Sequence, residues 1–468
     1  MTTCPVRPVP PVGRTVFPNR LKRTDHRMKI ALITAGAAGM YCGSCMHDNT
    51  LAAAMIQLGH ETLLVPTFTP IRSDEEDVSQ QRVFFGGINV YLQQKSFLFR
   101  MTPWFVDRLL DFPKLLRWVS RFASRTPYHE MGDLTLSMLE GTHGKQRKEV
   151  SKMVDWLEND IRPDVLIFSN VLLSGVIPEI KSRLNKPILA TLQGDDIFLD
   201  ALPESYRSRC MSQIRENAKS IDGYITTSDY YADFMAEYMN LPREAMHTIY
   251  PGLKLTGHGA EQPFRAEPPY TVGYFARICP EKGFHQFVDA FLAYSGLPDA
   301  PPCRIRVSGW LGEQYRAFFQ EQMAKLAAAG LSDRVEYVES PTLADKVRFM
   351  QSLDILSVPT EYREPKGLYI LEALANGVPV VQPGHGSFPE LVARTGGGLT
   401  VEPNQPQALA RGWQTLLADP DRRRACAEQG KRIVWDYFTD RRMAEETLAM
   451  LERYLPQSSP ATVGASAD

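Results

Sequence analysis

The chain has 468 residues, of which 44% are hydrophobic and 23% charged, and its formal net charge is −2. That length is too great for one core and predicts two domains of about 200 residues each. The near-neutral balance argues against a general nucleic-acid binder, and no apolar run approaches the roughly 18 residues of a membrane-spanning helix. Seven scattered cysteines (Cys4, Cys42, Cys45, Cys210, Cys279, Cys303 and Cys426) are an odd set with no signal peptide, which points to a reducing, cytoplasmic setting.

In chain order, residues 1–27 are Pro-rich and basic without an apolar stretch, and read as a disordered extension; Met28 is a second candidate start. Lys29–Ala35 reads as a strand, Gly36–Gly43 as a glycine-rich loop, and the stretch to Leu58 as a helix stopped by Gly59. Glu61–Pro66 is the next strand. Lys95–Trp118 mixes large apolar residues with five cations, a composition open to peripheral membrane contact or to packing on its own domain. Asp164–Ser169, Pro187–Leu192 and Gly223–Thr227 read as buried parallel strands, giving a first doubly wound domain over 28–250. A Gly/Pro-rich linker, 251–269, leads to a second domain over 270–440. Its expected strands are Tyr270–Phe275, Arg304–Ser308, Val335–Val338, Ile355–Pro359 and Val378–Val381. Residues 441–455 form a last helix, and 456–468 read as a disordered tail.

The most informative stretch is EYREPKGLYILEALANGVPVV, Glu361–Val381. Pro365 biases Glu364 away from helix, and a helix from Gly367 or Leu368 to Asn376 is stopped by Gly377. Glu364 then lies in the preceding loop and Glu372 about one turn inside the helix. Between them the first N–H groups at Gly367, Leu368 and Tyr369 can hold an anion, with two carboxylates beside it to accept from hydroxyls. A nucleoside diphosphate sugar has that combination of groups.

E-P-x-G-L-x-x-x-E followed by A-x-A-x-G-x-P-V-V resembles the E-x7-E segment of the retaining family-four glycosyltransferases, which have the GT-B fold. The resemblance runs from about Lys29 to Leu455 and implies an α/β protein of two Rossmann-like domains facing a cleft, with the last helix crossing back to the first. It implies Glu364 on hydroxyls of the transferred sugar and Glu372 on the ribose. Arg277 and Lys282, in GYFARICPEKGF, are similar to the family's R-x4-K-G element, whose cations meet the donor diphosphate. The expected reaction is transfer of a hexosyl unit, with retention, from a nucleoside diphosphate sugar to a sugar, lipid or small-molecule acceptor, without metal or cofactor. A GT-B nucleotide-sugar epimerase and a non-catalytic sugar-nucleotide binder are the alternatives.

On the acceptor side, Gly36 and Gly39 belong to a loop similar to the family's glycine-rich first loop. Thr191-Leu-Gln-Gly-Asp195-Asp196 ends a strand, where ligands of open sheets gather. Gln193 stands where the family often has a histidine touching the donor sugar. Asp195 and Asp196 are candidates for acceptor hydroxyls or, equally, a helix cap and a solvated acid. Cys42-Gly-Ser-Cys45 could be a redox pair, half a zinc site with His47, or a loop-shaping pair. Asp419-Pro-Asp421 matches the D-x-D of metal-dependent glycosyltransferases but reads as an N-cap. His385 and Glu390 lie on a loop that borders the donor site in the family.

Overall fold

The computed structural model describes residues 27–36, 42–80, 83–84 and 128–456. Gly39, the 95–118 segment, nearly all of the basic extension and the tail lie outside them. Two six-stranded parallel sheets organise the molecule. The first holds β1 (Lys29–Thr34), β2 (Glu61–Pro66), β3 (Val165–Phe168), β4 (Ile188–Leu192), β5 (Gly223–Thr226) and β6 (Met246–Thr248), in the spatial order β2-β1-β3-β4-β5-β6. The second holds β7 (Tyr270–Phe275), β8 (Cys303–Ser308), β9 (Val335–Tyr337), β10 (Ile355–Leu356), β11 (Val380–Pro383) and β12 (Gly398–Val401), in the order β12-β11-β10-β7-β8-β9. β1 and β7 each sit where the strand order reverses, the place at which open α/β sheets bind ligands beyond their carboxyl ends.

The strands read as unbroken apolar runs because both faces are covered. In β1, Ala31 and Ile33 join one core while Ile30 and Leu32 join the other, as the two-residue repeat requires. The last helix, Asp440–Leu451, buries Met443, Leu448 and Leu451 in the same cluster as Leu51 and Met55 of the Gly43–Gln57 helix, and so packs on the first lobe. The 251–269 stretch is tied to that helix's start, with the Leu253 amide donating to Phe438 and the Asp440 amide to Leu253.

Three expected spans move. Val378–Val381 gives way to Val380–Pro383, because the Val378 amide turns back to Ala373 O and completes the helix end at Gly377. Ile355–Pro359 shrinks to two residues: the Val358 amide is taken by the Gln382 side chain at 3.0 Å, and Pro359 has no N–H. The last helix spans Asp440–Leu451 rather than Arg441–Leu455. β6 and β12 carry no expectation; both are short edge strands.

Candidate functional site

The stretch after β10 builds the centre of the site. Thr360 to Lys366 form an irregular loop and Gly367, at φ 65°, starts the Leu368–Ala375 helix in a conformation that favours glycine. Glu372 lies in this helix's second turn. The loop is pinned from behind: the Ser387 amide donates to Glu364 O at 2.8 Å, and a Cβ on Gly386 would lie 2.6 Å from the Glu364 amide nitrogen. His385 is spent on this packing, its Nε2 lying 3.0 Å from Thr360 O.

Glu364 and Glu372 are both buried, and each is paired with a lysine. Lys282, at the end of the turn after β7, donates to Glu364 Oε2 at 2.6 Å, and the Tyr362 and Tyr369 hydroxyls donate to the same oxygen at 3.0 and 3.3 Å. Burial would raise the Glu364 carboxyl, but the Lys282 ammonium, with Lys366 and the Tyr362 hydroxyl adding to it, holds the group down at about 2. Glu372 Oε1 accepts from Lys346 at 2.7 Å, and Lys346 also reaches Asp74 of the first lobe at 2.5 Å. Burial opposes the Lys346 charge, yet Glu372 and Asp74 keep its pKa above the usual lysine range. Arg277 stands exposed beyond the β7 end, with no ion pair among the described residues. Its backbone carbonyl is fixed by the Tyr274 hydroxyl at 2.9 Å.

The first lobe meets this loop directly. Lys366 donates to Ser44 Oγ at 2.7 Å and to Gln193 Oε1 at 3.0 Å. Thr227 Oγ1 donates to Pro365 O at 2.9 Å. Glu390 accepts from the amides of Asp229 and Tyr230 at 3.1 and 2.9 Å, so a second-lobe carboxylate caps the first-lobe helix Asp229–Met239. Arg394 adds an ion pair to Asp229 at 3.0 Å.

The acceptor-side residues come together, though their polar atoms are occupied. Gln193 is 4% exposed, and its amide nitrogen donates to Ser169 O at 2.8 Å and Asp48 Oδ1 at 3.2 Å. Asp195 is a backbone clasp: its oxygens accept from the Val171 amide at 2.8 Å and the Gln193 amide at 3.0 Å. Burial pushes its carboxyl up to about 6 against those two bonds. Asp196 accepts from the Tyr231 hydroxyl at 2.5 Å. Gly36, at φ 84°, would place a Cβ 2.0 Å from Thr69 O, so only glycine fits there.

Cys42 and Cys45 are free thiols at the start of the Gly43–Gln57 helix. A hydrogen bond from Cys45 holds the Cys42 thiol well below its usual range against the effect of burial, with Lys366 adding to it. His47 turns to Asp48 Oδ1 at 3.4 Å, and no cluster of three or more metal-ligating side chains occurs among the described residues. Asp419 is an N-cap, accepting from the Arg422 amide at 3.0 Å. Lys346, Asp74, Lys366 and Asp48 carried no sequence expectation. Lys366 alone lay inside a motif; the others are joined to the site only by the fold.

Two facing Rossmann-like lobes, with charged groups on loops after β7 and β10, define the GT-B architecture. Residues 260–433, which hold the strands of the second lobe, match the model of Glycosyl transferases group 1. The chain is 35% identical over 164 residues to the lipopolysaccharide core biosynthesis mannosyltransferase LpsB of Rhizobium meliloti, covering 34% of this chain and 44% of that protein. It is 27% identical over 364 residues to the D-inositol 3-phosphate glycosyltransferase of Jonesia denitrificans, covering 71% and 81%. Among solved structures, HepE from Anabaena in complex with UDP and glucose aligns with a TM-score of 0.63 at 18% identity, over 91% of this chain and all of that one. No helix among the described residues is long and apolar enough to cross a membrane.

Proposed function

We propose that the chain is a retaining glycosyltransferase that moves a hexosyl unit from a nucleoside diphosphate sugar to an acceptor hydroxyl in the cleft between the lobes. The observation that carries this reading is the convergence of Glu364, Lys282 and the Leu368–Ala375 helix start on one loop that the first lobe covers. The exposed Arg277 guanidinium and the amides at Gly367, Leu368 and Tyr369 take the diphosphate, where charge grows as the sugar departs. Lys282 orients Glu364 through Oε2, leaving Oε1 for hydroxyls of the sugar. Lys346 does the same for Glu372, whose second oxygen takes the ribose.

In a front-face reaction the leaving phosphate oxygen receives the acceptor proton as the new glycosidic bond forms on the face the diphosphate vacates. Arg277 and the helix start then neutralise the diphosphate without a metal ion. The setting is cytoplasmic in this reading. HepE, bound to UDP and glucose, makes uridine nucleotides the first donors to try.

A melting screen against UDP-, GDP- and ADP-sugars tests donor binding: a ligand at a hundred times its Kd adds about 2.7 kcal/mol of stability. One donor series should raise Tm, and NMR of the product should show the donor's anomeric configuration preserved and turnover unchanged in a chelator. A flat screen, an isomerised donor without transfer, or inversion would reject the reading in turn.

A further inference from the structure

Three lysines, Lys282 half-buried and Lys346 and Lys366 buried, lie around the loop after β10, and one of them differs from the others. Lys282 has Glu364 and Lys346 has Glu372 and Asp74, so each is matched by a carboxylate. Lys366, 6% exposed, has within hydrogen-bond reach, among the described residues, two neutral oxygens, Ser44 Oγ and Gln193 Oε1. An ammonium carries three donors, and the third has no partner among the described residues.

The acids nearby are engaged elsewhere. Glu364 Oε2 takes Lys282 and two tyrosines, while Asp48 takes the Thr34 hydroxyl at 2.8 Å and the Gln193 amide. Burial pushes the Lys366 ammonium below the usual lysine range even though Cys42, Asp48 and Glu364 act to raise it. Those groups act from beyond hydrogen-bond contact, for no carboxylate touches the ammonium among the described residues, and a buried cation without a hydrogen-bonded counter-ion is costly until one arrives. Both of its neutral partners belong to the first lobe, whereas the groups given to the diphosphate belong to the second.

We propose that Lys366 is an anion subsite of the cleft, taking a phosphate or carboxylate carried by one of the two sugars that meet there. The substrate class is thus narrowed to an anionic donor sugar, such as a hexuronate, or a phosphorylated acceptor. This rests on the donor reading above.

The test is calorimetry on wild type and Lys366→Met, using the nucleotide that the melting screen selects. One pair of probes is its hexuronate against its hexose; the other is myo-inositol 1-phosphate against myo-inositol, with the nucleoside diphosphate bound. In one pair the anionic member should bind roughly tenfold tighter to wild type, as a charge-assisted hydrogen bond would give. The variant should fold with an equal or higher Tm, lose that preference, and bind the bare nucleoside diphosphate within about twofold of wild type, a margin of under half a kcal/mol. A response in the first pair places the anion on the donor, and in the second on the acceptor. No preference in either pair, a preference that survives Lys366→Met, or an equal loss of bare diphosphate affinity would overturn the subsite. Failure of wild type to bind any nucleoside diphosphate would strike the donor reading first and remove the ground for this one.

Discussion

The two lobes share a parallel sheet and a reversal in strand order, but they use their strand ends differently. Past β7 and β10 the second lobe presents paired charges, Lys282 with Glu364 and Lys346 with Glu372, at a helix start. Past β4 the first lobe turns its acids inward: Asp195 clasps two backbone amides and Asp196 takes a tyrosine hydroxyl. Acids past the strand ends of the same kind of sheet can therefore be paired with a lysine or spent on the scaffold, and the partners decide which.

The largest effect is expected at Lys282. Lys282→Ala leaves Glu364 buried without its counter-ion, which should cost about 3 kcal/mol of stability by denaturant unfolding. Turnover should fall roughly a hundredfold or more, the scale of losing one preorganised charge. A variant with wild-type stability would show that the pair is loosely held.

Asp195→Asn sharpens the contrast from the other lobe. It keeps one acceptor and loses another, so stability should drop by about 1–3 kcal/mol while turnover of the folded protein stays within a few-fold. A large loss of turnover at unchanged stability would make Asp195 a ligand contact instead.

The same two carboxyls should differ in sign with pH. Glu364, at about 2 in the fold against 4.5 ordinarily, stabilises the folded state above pH 4.5, and that contribution is lost as pH falls towards 2. Asp195, raised from 3.8 to about 6, favours folding most below pH 3.8 and loses that contribution as pH rises through 6. Glu364→Gln should flatten the acid limb of a stability–pH curve and Asp195→Asn the limb between 4 and 6. Unchanged curves would contradict the assigned environments.

The smallest effect is expected at the lobe contact. Glu390→Ala removes the carboxylate at the start of the Asp229–Met239 helix and one of the two partners of Arg394, which should raise KM a few-fold with kcat nearly unchanged. A collapse of kcat would place Glu390 in the chemistry.

The second lobe was the more legible because its signals are local. Pro365, Gly367 and Gly377 fix the ends of one short helix, and Glu364 and Glu372 are carried to their places by it. Lys282 could be read as a cation near the site, though its bond to a glutamate 82 residues away could not. The first lobe gave less. Gln193 stood out in sequence, but its ties to Ser169, Asp48 and Lys366 are made by β3, by the Gly43–Gln57 helix and by the opposite lobe. Lys346 and Asp74 lay in unremarked stretches, since nothing within a few residues of either hints at Glu372. Lys366 was in view throughout, between Pro365 and Gly367, but only the fold shows that it crosses to the other lobe.

In the proposed reaction the charged loops of the second lobe handle the donor. Steady-state transfer by Arg277→Ala and Glu372→Ala, with circular dichroism and melting to confirm folding, tests it most directly. Both variants should fold and lose roughly a hundredfold or more in kcat/KM. Near-normal transfer by both folded variants would contradict it.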